Sequence, residues 1–167
     1  MTTTAIRAAT PGDATAVKAI ATESGLFGLG ELEGFGEVLS GYLSGALSDH
    51  HWIVIEAGPG AMIGAAYYAP EPFSDRVWNL HFIAVLPRAQ GGGFGGALIA
   101  HVEESLRRLG ASAARVLIVE TSGLARFEPT RRFYLEHGYV EEARIREFYG
   151  PEDDKVVFWK RLDPAPI

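Results

Sequence analysis

The chain has 167 residues, a formal charge of −6 and no cysteine; that length suits one domain, because two independent cores would each be unusually small. Lack of cysteine excludes disulfides, thiolate metal ligands and a cysteinyl acyl-enzyme, and the negative balance argues against general nucleic-acid binding, which draws its affinity from Lys and Arg at phosphates. Hydrophobic residues make up 47% of the chain, enough for a sizeable core without a membrane-length apolar run, and residues 1–7 lack the regions of a secretory signal, so the expected location is the cytoplasm with no membrane partner.

Residues 5–9 read as a first strand, and Thr10-Pro-Gly-Asp opens a helix with Ala14, Val17, Ile20 and Ala21 facing inward. Residues 24–36 carry five glycines (Gly25, Gly28, Gly30, Gly34, Gly36) among Leu26, Phe27, Leu29 and Phe35. They suit a substrate lid or an irregular connection before a second helix through about Leu47. Residues 52–57 and 62–69, joined by Gly58-Pro-Gly, form an expected antiparallel hairpin.

A loop at 70–76 leads into a strand over 77–85, a glycine cluster, and an amphipathic helix over 97–109. In that helix Leu98, Val102, Leu106 and Leu109 recur at helical spacing, Arg107 and Arg108 sit in the last turn, and Gly110 caps the end. Residues 114–120 read as a buried strand, and Pro129 as the first residue of a short helix ending at Gly138. Strands over 139–148 and 156–162 flank the turn Gly150-Pro-Glu-Asp-Asp. The order is βααβββαβαββ, with no repeat or linker, and implies a single domain over 1–167.

A strand, a glycine cluster and a helix make an anion site, because free N–H groups at a helix N-terminus point toward the ligand and glycines allow close approach. Gly91, Gly93 and Gly96 also satisfy the dinucleotide pattern G-x-G-x-x-G, with Glu120 as a ribose-binding acid. Against that reading, five residues (86–90) separate the strand from the first glycine, and 47 residues after Glu120 are few for a doubly wound sheet. A Walker A site fails because the only lysines are Lys18, Lys155 and Lys160, none in the loop.

Ala84-Val-x-Pro, then Gln90-x-x-Gly93-x-Gly95 and Leu98, resembles the acetyl-CoA motif of the GNAT superfamily of N-acetyltransferases. Arg132-Phe-Tyr-Leu-Glu-His-Gly-Tyr is similar to that family's later helix, and the element order matches across nearly the whole chain. The resemblance implies an α/β (α+β) fold: a mixed, largely antiparallel twisted sheet of about seven strands, splayed between the fourth and fifth and flanked by four helices. It implies acetyl-CoA as co-substrate, with the backbone of Ile83, Ala84 and Val85 along the pantetheine arm and the amides of Gln90, Gly91, Gly92, Gly93, Phe94, Gly95 and Gly96 at the pyrophosphate. No metal is expected.

The resemblance further implies N-acetyl transfer to a small-molecule or peptide amine by direct attack in a ternary complex; the alternative is a non-catalytic acyl-CoA sensor. Tyr134 matches the family's acid for the departing thiolate and its contact to the cofactor, and the Val85 N–H matches the donor to the thioester oxygen. His81 is similar to a proton-relaying histidine of the arylalkylamine branch, where Asn79 replaces a second histidine; Glu120 is the competing base or a counter-ion. Phe127 stands where the family often has a cofactor-binding Asn, with Thr121, Ser122 or Arg131 as substitutes. Asp153 and Asp154 read as a solvated turn, and His50, His51, His101 and His137 as surface or packing residues without metal spacing. The acceptor pocket is assigned to residues 24–35, 67–76 and 148–154, and a homodimer is compatible with the C-terminal hairpin.

Overall fold

The computed structural model describes residues 3–27 and 29–163. Seven strands run in the order β1-β2-β3-β4-β5-β7-β6 and are accompanied by four α-helices. The backbone divides into two compact units, one holding the residues up to Ala69 with Phe82–Val102, the other Pro70–His81 and the chain from Glu103 onward.

In the first unit, β1 (Thr4–Ala8) pairs antiparallel with β2 (His51–Ala57), and β2 with β3 (Met62–Pro70). The centres of β2 and β3 are buried on both faces, which is why they read as continuous apolar runs rather than alternating ones. One face carries Trp52, Val54, Ala65 and Tyr67, joined by Phe82 and Ala84 of β4 (Val77–Val85). Helix α1 (Ala14–Glu23) covers it with Val17, Ile20 and Ala21, spaced three and four apart; burying a side chain such as Ile20 contributes roughly 1.5–3 kcal/mol. Ahead of α1, Asp13 accepts hydrogen bonds from the Thr10 N–H at 2.7 Å and from both Arg7 Nη atoms, at 2.7 and 3.0 Å.

Helix α2 (Leu29–Leu43) begins earlier and ends sooner than the sequence suggests, so Gly34 and Gly36 lie inside a helix and not in a glycine-rich connection. Leu32, Phe35, Val38, Leu39 and Tyr42 recur at helical spacing and pack on the core. That packing outweighs a propensity cost of about 1 kcal/mol for each glycine. Of the glycines singled out there, Gly28 lies outside the described residues. The loop after β4 leads to α3 (Phe94–Leu109), whose Leu98, Ile99, Val102 and Leu106 are buried; Leu109, expected on the same stripe, is exposed at the helix end.

Gly64 of β3 sits so close to its neighbours that a Cβ there would lie 2.9 Å from the Ala84 carbonyl oxygen and 2.9 Å from the Ile55 Cγ2. Only a glycine lets the strands approach to that distance.

In the second unit, the first half of β4 pairs in parallel with β5 (Val116–Ser122), from Val77↔Val116 to Leu80↔Val119. Beyond Leu80 the ladder stops while β5 continues to pair with β7 (Asp153–Arg161) as far as Ser122↔Lys155. The ladder thus ends where the sequence places the start of the splay between the fourth and fifth strands. Strand β6 (Val140–Gly150) pairs only with β7 among the described strands and is exposed along nearly its whole length. Helix α4 (Glu128–Glu136) carries a proline in its first turn, as its sequence predicts, and buries Tyr134. No helix among the described residues is long and apolar enough to cross a membrane.

Candidate functional site

The loop after Val85 begins with Leu86, whose N–H donates to the Ile63 carbonyl at 2.8 Å, and a short 3-10 turn over Pro87–Ala89. Gln90 folds back so that its Nε2 donates to the Val85 carbonyl at 3.1 Å. This contact ties the loop to the end of β4 and was not legible in the motif. Gly91 (φ 81°) and Gly93 (φ 82°) adopt the left-handed conformation, and neither has another atom within 4 Å of where a Cβ would project. The glycines here are required by backbone conformation and leave open space beside the main chain. At Gly92 the nearby obstacle is Phe94, whose ring would lie 2.7 Å from a Cβ.

Helix α3 starts at Phe94, its first intrahelical bond runs from the Ala97 N–H to the Gly93 carbonyl at 3.0 Å, and its first turn holds no acidic residue. The N–H groups of Phe94, Gly95 and Gly96 therefore have no carbonyl one turn earlier in the helix, and the partial positive charge of the helix end is uncompensated by an acid. Exposed glycines, open space and this helix end fit a phosphate-bearing ligand such as CoA. Ile83 and Val85 are half-buried and Ala84 is buried in the core, so the strand itself is anchored.

In the second unit, the residues immediately past the end of the parallel ladder are His81 on β4 and Glu120 on β5. Two residues singled out separately thus occupy the first positions of the opening on its two strands. His81 is exposed. Glu120 forms an ion pair with Lys155 of β7, 3.1 Å from Oε2 to Nζ. Sequence reasoning missed this partner because 35 residues separate the two and only the β5–β7 register joins them. Asn79 is buried, and its Nδ2 donates to Glu71 at 3.0 Å.

Tyr134 is buried against the rings of Tyr139 (5.8 Å) and Phe158 (5.3 Å). Burial disfavours the phenolate and pushes the hydroxyl pKa well up. The hydroxyl is protonated at neutral pH, as in any tyrosine, and the upward shift makes it a weaker proton donor. Phe127 is buried beneath the Arg126 guanidinium, 4.5 Å from its ring centroid. Of the residues considered as substitutes for an Asn, Arg131 donates through Nη1 to the Ser122 and Leu124 carbonyls at 2.8 and 2.9 Å, and Ser122 donates to Asp153. Thr121 is buried.

Asp153 and Asp154 are not a solvated turn. Asp153 accepts from the Ser122 hydroxyl, while Asp154 Oδ1 accepts the Glu147 N–H at 2.9 Å and its Oδ2 lies 3.5 Å from Arg144. These contacts hold the end of the hairpin to β5 and to itself. Of the four other histidines, His50 bonds the Tyr67 hydroxyl, His51 stacks on Tyr68 at 5.0 Å, and His137 bonds the Phe133 carbonyl at 2.7 Å. Among the described residues no group of three or more His, Cys, Asp or Glu could hold a metal ion.

Comparison with known proteins adds three findings. The family model for the acetyltransferase (GNAT) domain matches residues 48–141. A GNAT-family protein from Desulfovibrio desulfuricans is 33% identical, with a TM-score of 0.86 over 96% of this chain and 100% of that one. At lower identity, which speaks to fold alone, are the ribosomal-protein-S18-alanine N-acetyltransferase of Escherichia coli (18%, TM-score 0.78, 98% and 97% covered) and yncA of Salmonella typhimurium with acetyl-CoA (19%, TM-score 0.75, 99% and 97% covered). No curated protein matches the chain.

Proposed function

The chain belongs to the GNAT acetyltransferase family, and on that premise we propose that it moves an acetyl group from acetyl-CoA to a primary amine by direct attack in a ternary complex. The observation that carries this reading is the loop at Gly91–Gly96: left-handed glycines with open space, leading into a helix end free of acidic residues. The amides of Gly91, Gly92, Gly93, Phe94, Gly95 and Gly96 hold the pyrophosphate, while the Gln90 amide donates to the Pro87 carbonyl at 3.3 Å and closes the 3-10 turn; the main chain of Ile83, Ala84 and Val85 lies along the pantetheine arm. The related fold of yncA is known with acetyl-CoA. The whole chain works as one acetyltransferase domain.

Acetyl-CoA supplies the activated thioester. The amine nitrogen forms a bond to the acetyl carbon and the carbon–sulfur bond breaks. His81 accepts the proton that the amine must lose, the Val85 N–H donates to the thioester oxygen as charge builds there, and Tyr134 donates its hydroxyl proton to the departing thiolate. Glu120, the competing base, has its carboxylate paired with Lys155. The acceptor is a small-molecule or peptide amine.

A second reading, an acyl-CoA sensor without turnover, is favoured by one observation: buried Phe127 stands in place of a polar cofactor ligand. Calorimetric titration with acetyl-CoA, with NADH and ATP as controls, followed by CoA release over an amine panel, separates the two. Binding without release for every amine supports the sensor; a preference for NADH removes both readings.

A further inference from the structure

Three consecutive residues of β7 reach three different neighbours. Asp153 accepts from Ser122 at the end of β5, Asp154 accepts the Glu147 amide, and Lys155 pairs with Glu120 at 3.1 Å. Glu147 has a left-handed backbone (φ 52°), and the β6–β7 register shifts between Ile145 and Gly150, so residues 146–149 bulge out of the ladder. A non-glycine residue in that conformation is strained and persists only where its surroundings fix it. The bulge displays Phe148 and Tyr149, 54% and 40% exposed, with ring centroids 5.1 Å apart and edge to face. Lys155 Nζ sits 3.5 Å from the Phe148 ring centroid, and its side chain is only 12% exposed.

These contacts change what Glu120 can offer. A bare carboxylate beside the ladder opening would attract any acceptor carrying a second positive charge. Here the charge is cancelled by an ammonium that is itself held between the carboxylate and an aromatic face, an arrangement worth most where water is excluded. At this pair the wall offers an acceptor apolar ring surface and a carboxylate whose charge is cancelled.

We propose that Lys155 is the charge-selecting residue of the acceptor site: by neutralising Glu120 it reserves the opening for amines with a single positive charge and an apolar body, packed on Phe148 and Tyr149, and turns away polyamines. The proposal rests on the acetyl-transfer reading above.

The test uses benzylamine and spermidine as probes, each titrated calorimetrically into the CoA-loaded protein and each assayed for CoA release from acetyl-CoA. Benzylamine is expected to bind at least about tenfold more tightly than spermidine. Lys155→Met, which uncovers the carboxylate, shifts that ratio toward spermidine by about tenfold or more. The double variant Glu120→Gln/Lys155→Met restores discrimination against spermidine, and Phe148→Ala weakens benzylamine while leaving acetyl-CoA affinity unchanged. The double variant also guards against misfolding of Lys155→Met, since it leaves no unpaired charge.

Equal or tighter binding of spermidine by the wild type, an unchanged ratio in folded Lys155→Met, or no binding of either amine overturns the proposal. Selective amine binding without CoA release overturns the acetyl-transfer reading and leaves the charge selection standing; efficient release with spermidine does the reverse.

Discussion

Gly93→Ala separates the cost of a left-handed backbone from the cost of lost ligand contact. Gly93 has φ 82° and nothing within 4 Å of an added Cβ, so the free protein suffers no clash. The left-handed conformation alone costs an L-residue roughly 1–2 kcal/mol, and a protein of this size loses about 2–4 °C of Tm per kcal/mol. A fall of about 2–8 °C is therefore expected. Gly60 is a matched control: it lies in the hairpin turn between β2 and β3, has φ 73°, and likewise has nothing within 4 Å. Gly60→Ala should lower Tm by a similar amount.

The two variants part at the ligand. In the Gly93 variant the methyl occupies the space through which a phosphate approaches the amides, and a hydrogen bond to a charged group is worth about 1.5–3 kcal/mol. Acetyl-CoA affinity should fall by about 10- to 100-fold in Gly93→Ala and stay within about twofold of wild type in Gly60→Ala. Calorimetry with acetyl-CoA, beside thermal denaturation of each protein, supplies the readings. Equal affinities in the two variants would refute the assignment of the loop as a phosphate cradle.

Gly64→Ala forces a methyl to within 2.9 Å of the Ala84 carbonyl and the Ile55 side chain, and should destabilise the protein by about 1–3 kcal/mol, read by urea denaturation. Tyr134→Phe should lower kcat by about 100- to 10,000-fold with little change in acetyl-CoA affinity, measured by CoA release and calorimetry; an unchanged kcat removes Tyr134 as the acid. Asp13 is held down to about 2, from 3.8, chiefly by its hydrogen bonds from Arg7. Because its folded pKa is depressed, its contribution is complete above the unfolded value of 3.8 and disappears as pH falls through about 2. Asp13→Asn should thus be less stable than wild type at neutral pH and converge with it across that acid window, as followed by denaturant midpoints.

Element order was legible because apolar periodicity and turn residues are local signals. The runs at 52–57 and 62–69, the glycine loop and Pro129 each announce their structure within a few residues. Helix α2 was partly hidden, since glycine content is local evidence against a helix whereas Phe35, Val38 and Leu39 gain their stability from a core assembled by distant strands. The candidate site shows the same division. Gly91 and Gly93 are readable as conformational necessities, but the pairing of Glu120 with Lys155 and of Ser122 with Asp153 depends on the β5–β7 register, which no local pattern encodes. Leu109 fits the stripe of its helix yet lies one turn beyond the last buried position.

The clamp at the start of β7 constrains how this protein can change over evolutionary time. Successive strand residues point to opposite faces, so a one-residue shift of β7 would change which side chain stands at each of the three contacts. Shifted one way, Lys155 would face the Glu147 amide, a donor against a donor; shifted the other way, Asp154 would meet Glu120. Length variation is therefore closed to this hairpin while side-chain replacement is open, and descendants with new acceptor preferences should differ at Phe148, Tyr149, Lys155 and Glu120 without altering the spacing between them.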